Sequence, residues 1–297
     1  MTNKENILVI KHGALGDLIQ ADGLYKSIRG EYKNAKIILL TSKKFVDLME
    51  RCPYFDGFIL DDRPSVFSVI SYINLYKEII KYNFKIIYDL QNSQRTYIYR
   101  HYFFKKINWI STNREGHAIS GLRGLEEMLR GSLTRIKYVS KPELNWLPID
   151  VKSLIREKKI TSKYIVLLPG SSKSNPLKRW PYFKELASML ICRGFEIVTI
   201  LGPEELEMDN FWPGHILKNL DLSQLAGVIK NSYFIIGNDS GPCHIASCLN
   251  KKGLALFGPT TSVIRSELKR GRFEILKVSD LKNLTPKNVL NKVSKFF

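Results

Sequence analysis

The sequence predicts an α/β protein of two doubly wound domains, on three observations. Short, continuous apolar runs alternate with amphipathic stretches. Glycine-containing turns follow those runs. The pattern starts afresh after a proline-marked stretch near the middle of the chain. A run that is apolar at every position marks a strand covered on both faces. Strands that alternate with helices lie parallel, joined by right-handed crossovers.

In the first half, Ile7-Leu8-Val9-Ile10 is a buried strand. Residues 18–30 carry apolar positions at helical spacing, at Leu18, Ile19, Leu24, Tyr25 and Ile28. Ile37-Ile38-Leu39-Leu40 is the next strand, residues 43–51 a helix stopped by Pro53, and Phe58-Ile59-Leu60 a short strand. Residues 66–82 form a helix and residues 86–90 a strand. Residues 91–140 are rich in Arg, Tyr and Gly, with helical pieces at 95–105 and 121–131. Pro142 and Pro148 precede a charged helix-like stretch, which sets the expected domains at 1–150 and 151–297.

The second half repeats the alternation. Strands are expected at 164–168, 196–201, 233–237 and 253–257. Helices are expected at 181–193, 222–230, 242–249 and 284–297, the last free to return to the first domain.

Composition narrows the class. The chain has 297 residues, 44% hydrophobic, with 46 Lys+Arg against 28 Asp+Glu, a net charge of +18. Disordered, collagen-like and disulfide-scaffold proteins are excluded. No apolar run is long enough to cross a membrane, and residues 1–6 hold no export signal, so the expectation is a cytoplasmic protein. Residues 1–150 carry 23 basic and 16 acidic residues, net +7; residues 151–297 carry 23 and 12, net +11. The excess is therefore spread over both halves. It favours an anionic partner, such as a phosphorylated small molecule or acidic lipid at the inner face of the cytoplasmic membrane, or reflects well-solvated lysines. The interleaved basic and aromatic stripe of a nucleic-acid-binding protein is not evident, and no nucleic acid is expected. Cys52, Cys192, Cys243 and Cys248 form no CxxC pair, so reduced thiols and no metal site are expected.

In doubly wound sheets ligands bind at the carboxyl ends of strands. Four strand-to-helix turns carry polar chemistry. Gly13-Ala14-Leu15-Gly16-Asp17 lets the backbone approach a ligand closely and sets Asp17 at a helix start. There the dipole favours an ionised base, although Asp17 alone reads first as a helix cap. Pro169-Gly170-Ser171-Ser172, with Lys178-Arg179-Trp180-Pro181, suits a phosphate, or is a solvated loop. In Leu201-Gly202-Pro203-Glu204-Glu205 a carboxylate can accept from both hydroxyls of a ribose, or merely open a helix. In Gly237-Asn238-Asp239-Ser240-Gly241-Pro242-Cys243-His244 a polar turn opens a helix, where N–H groups and Ser240 can hold a diphosphate. His244 faces a ligand or caps its own helix. None of the turns has GxGxxG or GxxxxGK[ST] spacing.

Taken in this order, the four turns resemble glycosyltransferase family 9, the ADP-heptose–lipopolysaccharide heptosyltransferase family. Phe257-Gly258-Pro259-Thr260 and Cys52-Pro53-Tyr54-Phe55-Asp56 match as well, so the resemblance covers about residues 5–265. It implies a GT-B fold, two Rossmann-like domains facing across a cleft, with the acceptor on the first and the nucleotide-sugar on the second. It implies inverting transfer without a metal or cofactor, most simply of heptose from ADP-heptose to a lipopolysaccharide-core or similar anionic, lipid-linked glycan. By the resemblance Asp17 is the general base, with Gly13, Ala14, Leu15 and Gly16 beside it on the acceptor side. Ser171, Ser172 and Lys178 hold the diphosphate, Lys178 also meeting the leaving-group charge. Glu204 or Glu205 meets the ribose, and Asp239, Ser240, Gly241 and His244 complete the donor site.

Two departures stand out. Ala21-Asp22 replaces the family's frequent Thr-Pro, and Lys173-Ser174-Asn175-Pro176-Leu177 lengthens the spacing before Lys178. Arg95, Arg100, Arg114, His117 and Arg123 are open either as acceptor-phosphate contacts or as surface charge. A transferase or epimerase of the same fold using another nucleotide-sugar, and a non-catalytic basic binding protein, are the competing readings.

Overall fold

The computed structural model describes residues 5–64, 68–111, 126, 136, 138–161, 163–171, 176–202, 205, 211–260, 263 and 267–297. The chain divides into two compact units, Met1–Pro142 and Glu143–Phe297. The division falls before the expected residue 150. Residues 143–150 go with the second unit, where the Ile149 N–H donates to the Ser223 carbonyl at 3.3 Å.

In the first unit, strands β1 (Asn6–Ile10), β2 (Lys36–Thr41), β3 (Gly57–Leu60), β4 (Ile86–Asp89) and β5 (Asn108–Ile110) make a parallel sheet ordered β3-β2-β1-β4-β5. Ile7, Leu8, Val9 and Ile10 are wholly buried, as expected of a central strand covered on both faces. One face of the sheet packs with Leu75, Ile79, Phe84, Tyr99 and Trp109 in a common core. Helices α1 (Leu15–Gln20), α2 (Asp22–Glu31), α3 (Val46–Met49), α4 (Val69–Ile80) and α5 (Gln94–Tyr102) connect the strands. The single helix expected at 18–30 starts earlier and is divided at Ala21. Ala21 keeps right-handed geometry, with its N–H on the Asp17 carbonyl, so the break is one residue long. A capping box between Ser93 and Thr96 opens α5. Of the helical piece expected at 121–131, only Glu126 lies within the described residues.

In the second unit, α6 (Lys152–Glu157) precedes β6 (Tyr164–Leu168), α7 (Phe183–Ile191), β7 (Glu196–Leu201) and β8 (His215–Lys218). Then follow α8 (Leu222–Asn231), β9 (Phe234–Asn238), α9 (Gly241–Cys248), β10 (Gly253–Phe257), β11 (Phe273–Lys277) and α10 (Pro286–Val293). The sheet is parallel, ordered β11-β10-β9-β6-β7-β8. The last helix packs against α7 of its own unit. Val289, Leu290 and Val293 enter the core beside Trp180 and Phe183, worth about 1.5–3 kcal/mol for each large apolar side chain. The Trp180 indole N–H donates to the Leu284 carbonyl at 2.7 Å and pins the start of that segment.

Strand order reverses direction between β1 and β4 in one sheet and between β6 and β9 in the other. Crevices open at the carboxyl ends of strands at such switch points. The expected polar turns follow β1, β6, β7 and β9.

Candidate functional site

The turn after β1 needs its first glycine. Gly13 has φ +101°, and a Cβ there would come within 2.5 Å of the Phe45 ring. Ala14 is exposed, Leu15 and Gly16 are half-buried, and Asp17 is exposed in the first turn of α1. Just after β1, the Lys11 ammonium donates to the Leu90 carbonyl at 2.9 Å. Burial lowers the Lys11 pKa, and the charges of Asp17 and Asp89 oppose the shift. Asp89 accepts from the Gln91 and Asn92 N–H groups, closing the turn after β4. Burial raises its pKa against those bonds.

A buried polar network stands beside this turn. His12 Nε2 lies 2.7 Å from Asp61 Oδ2. Asp61 also accepts from the Tyr99 hydroxyl, from Arg95 Nε at 3.2 Å and from the Arg63 N–H at 2.9 Å. Burial pushes the Asp61 pKa up, but the bonds from His12 and Tyr99 outweigh it and hold the carboxyl well below the usual range. Burial, then the hydrogen bond to Asp61, raises the Tyr99 pKa. Arg95 is therefore not plain surface charge, its side chain being 12% exposed. Its guanidinium is engaged by Asp61, Tyr99 and the Pro64 carbonyl. Arg100 is exposed on α5; Arg114, His117 and Arg123 lie outside the described residues.

In the second unit the structure gathers most of the expected donor-side residues at the carboxyl ends of β6, β7 and β9. Lys178 Nζ is 2.6 Å from Asp239 Oδ2, and His244 Nε2 is 3.8 Å from Asp239 Oδ1. Ser240 takes extended geometry at the start of α9. Its Oγ is buried without a hydrogen-bond partner among the described residues. Gly241 begins α9 and Pro242 follows in its first turn, where a missing N–H costs nothing. Ser171 is buried after β6. Ser172 and Glu204 lie outside the described residues.

Glu205 is held through both carboxylate oxygens. Oε1 accepts from Arg179 at 3.1 Å and Oε2 from the Gly202 N–H at 3.1 Å. Arg179 also donates to the Ser171 carbonyl at 2.7 Å and to Ser171 Oγ at 3.3 Å. A Cβ on Gly170 would meet Glu205 Oε2 at 2.7 Å, so the glycine admits the carboxylate. Asn238 staples the loops. Its Oδ1 accepts the Trp180 N–H at 3.0 Å, and its Nδ2 donates to the Pro169 carbonyl at 2.6 Å.

Sequence reading did not foresee the His12–Asp61–Tyr99 network or the clamp made by Arg179. His12 and Asp61 are 49 residues apart. The one available signal was a polar residue at the end of each of two apolar runs. The four cysteines are free, and only Cys192 is exposed. Burial pushes the Cys243 thiol pKa up, which suits packing rather than reactivity. Among the described residues no group of three or more His, Cys, Asp or Glu side chains could hold a metal ion.

Comparison with known proteins points the same way. A family model described as “Glycosyltransferase family 9 (heptosyltransferase)” matches residues 130–278. The chain is 26% identical to lipopolysaccharide heptosyltransferase 1 of Campylobacter coli, over 86% of this chain and 84% of that protein. Its structure resembles a glycosyl transferase family 9 protein from Veillonella parvula, with a TM-score of 0.80, 18% identity and coverage of 99% of this chain and 98% of the other. It resembles E. coli ADP-heptose LPS heptosyltransferase II with a TM-score of 0.75, 20% identity and 98% coverage of both chains.

Proposed function

The chain belongs to glycosyltransferase family 9, is a glycosyltransferase of GT-B fold, and on that premise we propose that it transfers heptose from ADP-heptose to a lipopolysaccharide-core type glycan. The observation that carries the donor half of this reading is the convergence of Ser171, Lys178, Asp239, Ser240 and His244 at the switch point between β6 and β9. A cation, a hydroxyl and a helix start gathered at the carboxyl ends of β6 and β9 suit a nucleoside diphosphate.

The reaction is a single inverting displacement. An acceptor hydroxyl gives its proton to the Asp17 carboxylate while its oxygen bonds the anomeric carbon of the donor. The bond from that carbon to the diphosphate oxygen breaks, and the electron pair leaves with ADP. Lys178 and the N–H groups at the start of α9 meet the growing negative charge, so the reading needs no metal. Asp17 suits the base because it is exposed at the end of the central strand of its unit. Removing the proton in the transition state is worth roughly 10²–10⁴-fold.

The experiment is a calorimetric titration with ADP, UDP, GDP and CDP in EDTA, followed by transfer assays of Asp17→Ala. ADP selectivity in EDTA, with Asp17→Ala binding ADP normally but failing to transfer, is the expected result. Preference for another nucleotide overturns the heptose donor. A requirement for a divalent ion overturns the metal-free leaving group. Full activity in Asp17→Ala removes Asp17 from the chemistry.

A further inference from the structure

Helix α4 faces outward with its apolar side. A helix packed on a sheet ordinarily buries one apolar stripe and turns polar residues to water. In α4 the buried stripe is Leu75 and Ile79. Yet Val69, Ile73, Tyr76 and Ile80 recur at spacings of four, three and four, which forms a second stripe. With Ile70, these side chains are 41–74% exposed. Scattered exposed apolar residues are ordinary; five on one short helix form a patch that calls for a partner.

The patch continues off the helix. The Tyr76 ring meets Phe103 at 5.3 Å between centroids. Ile80 opens into a cleft of about 380 Å³ floored by Phe84, Phe103, Phe104 and Ile107, with Lys85 and Lys106 at its edge. Lys85 and Lys106 line the cleft beside Ile80. Lys77, Lys81, Lys85, Arg100, Lys105 and Lys106 are exposed on residues 68–111. The exposed carboxylate of that segment, Glu78, is neutralised by Lys81 at 2.5 Å.

An apolar stripe with lysines beside it selects its partner. Two copies of this face would bring like charges together, at a cost. An anionic lipid surface satisfies both features, since the stripe enters the acyl boundary while the lysines meet headgroup charge. Helix α4 has 12 residues, about 18 Å, so it can lie in the interface but not cross it.

We propose that the α4 face, extended by Phe103 and the Lys85–Lys106 cleft, docks the protein on an anionic bilayer. The inference rests on this surface alone and is independent of which sugar the enzyme moves.

The test is flotation of the full chain with phosphatidylcholine vesicles, with and without phosphatidylglycerol. The protein floats with the anionic vesicles and stays behind with the neutral ones. Ile73→Ser/Ile80→Ser weakens partition about tenfold or more at unchanged thermal midpoint, because both positions are exposed. Lys81→Glu/Lys106→Glu weakens it by at least about tenfold at low salt, and less at high salt. In Ile73→Trp the new indole emission shifts to the blue with anionic vesicles and is quenched by brominated acyl chains. Failure of the wild type to float, equal flotation of the double serine variant, or an unshifted indole overturns the proposal. So does a wild-type dimer that the serine variant dissolves while lipid binding persists, since the face then belongs to a second copy.

Discussion

Lys178 Nζ lies 2.6 Å from Asp239 Oδ2, joining the segment after β6 to the turn after β9. The carboxylate is buried and the lysine side chain is about one-quarter exposed. A diphosphate arriving there competes with Asp239 for the same cation. Lys178→Ala should weaken ADP binding roughly 10–100-fold, the worth of a charge-assisted hydrogen bond. If the lysine also meets the leaving group, kcat falls by a further ~10²-fold or more. Calorimetry and saturation kinetics on the variant separate the two effects. Unaltered ADP affinity would place Lys178 outside the donor site.

The Asp61 carboxyl gives a pH prediction. Its pKa in the folded protein is lowered, because the His12 and Tyr99 bonds overcome burial. A carboxyl of that kind contributes stability that is fully present above its unfolded pKa, about 3.9, and lost as pH falls through the folded value. Asp89 acts in the opposite sense. Its pKa is raised by burial, so it opposes folding as pH rises through the unfolded value. Asp61→Asn should cost about 3 kcal/mol at neutral pH, since it leaves Arg95 and His12 without their buried anion. The gap to wild type should narrow below about pH 4. Urea titrations at neutral and acid pH measure both. A gap that stays constant would mean the carboxylate charge contributes nothing.

How legible this site was in the sequence depended on locality. The turns after β1, β6 and β9 are visible because each is a few residues long and follows an unbroken apolar run such as Ile235-Ile236-Gly237. Strands β5, β8 and β11 went unread. The first has three residues, and in His215–Lys218 and Phe273–Lys277 polar or charged residues leave no more than two apolar residues in a row. The Arg179 clamp was equally hidden. Its partners Ser171 and Glu205 are 8 and 26 residues away, and only the fold brings them together.

Two glycines of helix α2 should respond oppositely to the same substitution. Alanine at Gly23 would place a Cβ 1.9 Å from the Ser140 carbonyl oxygen, which crosses the helix there. Backbone must move, so Gly23→Ala should cost about 3 kcal/mol or more. Gly30 is exposed in the same helix, and a Cβ there meets nothing within 4 Å. Gly30→Ala should stabilise by about 0.5–1 kcal/mol, through helix propensity and a less flexible unfolded chain. Chemical denaturation of both variants checks the sign. Equal effects would mean that the segment at Ser140 does not pack on Gly23.

Asn238 allows a sharper test of how the donor-side loops are held. It accepts from the Trp180 N–H with one side-chain atom and donates to the Pro169 carbonyl with the other, and it is wholly buried. Asn238→Asp keeps the shape but sets an ionised oxygen against the Pro169 carbonyl. A buried carboxylate there loses a donor bond and pays desolvation, about 3 kcal/mol at neutral pH. Protonated, the same side chain can donate again. The folded pKa of the new carboxyl therefore lies above its unfolded value, and stability is lost as pH rises through that interval. The variant should approach wild type near pH ~4 and diverge toward neutrality, with ADP affinity falling in parallel as the Pro169 and Trp180 loops part. Thermal midpoints and ADP titrations across that range read both quantities. If stability drops while ADP affinity holds at every pH, Asn238 staples the fold but does not shape the crevice.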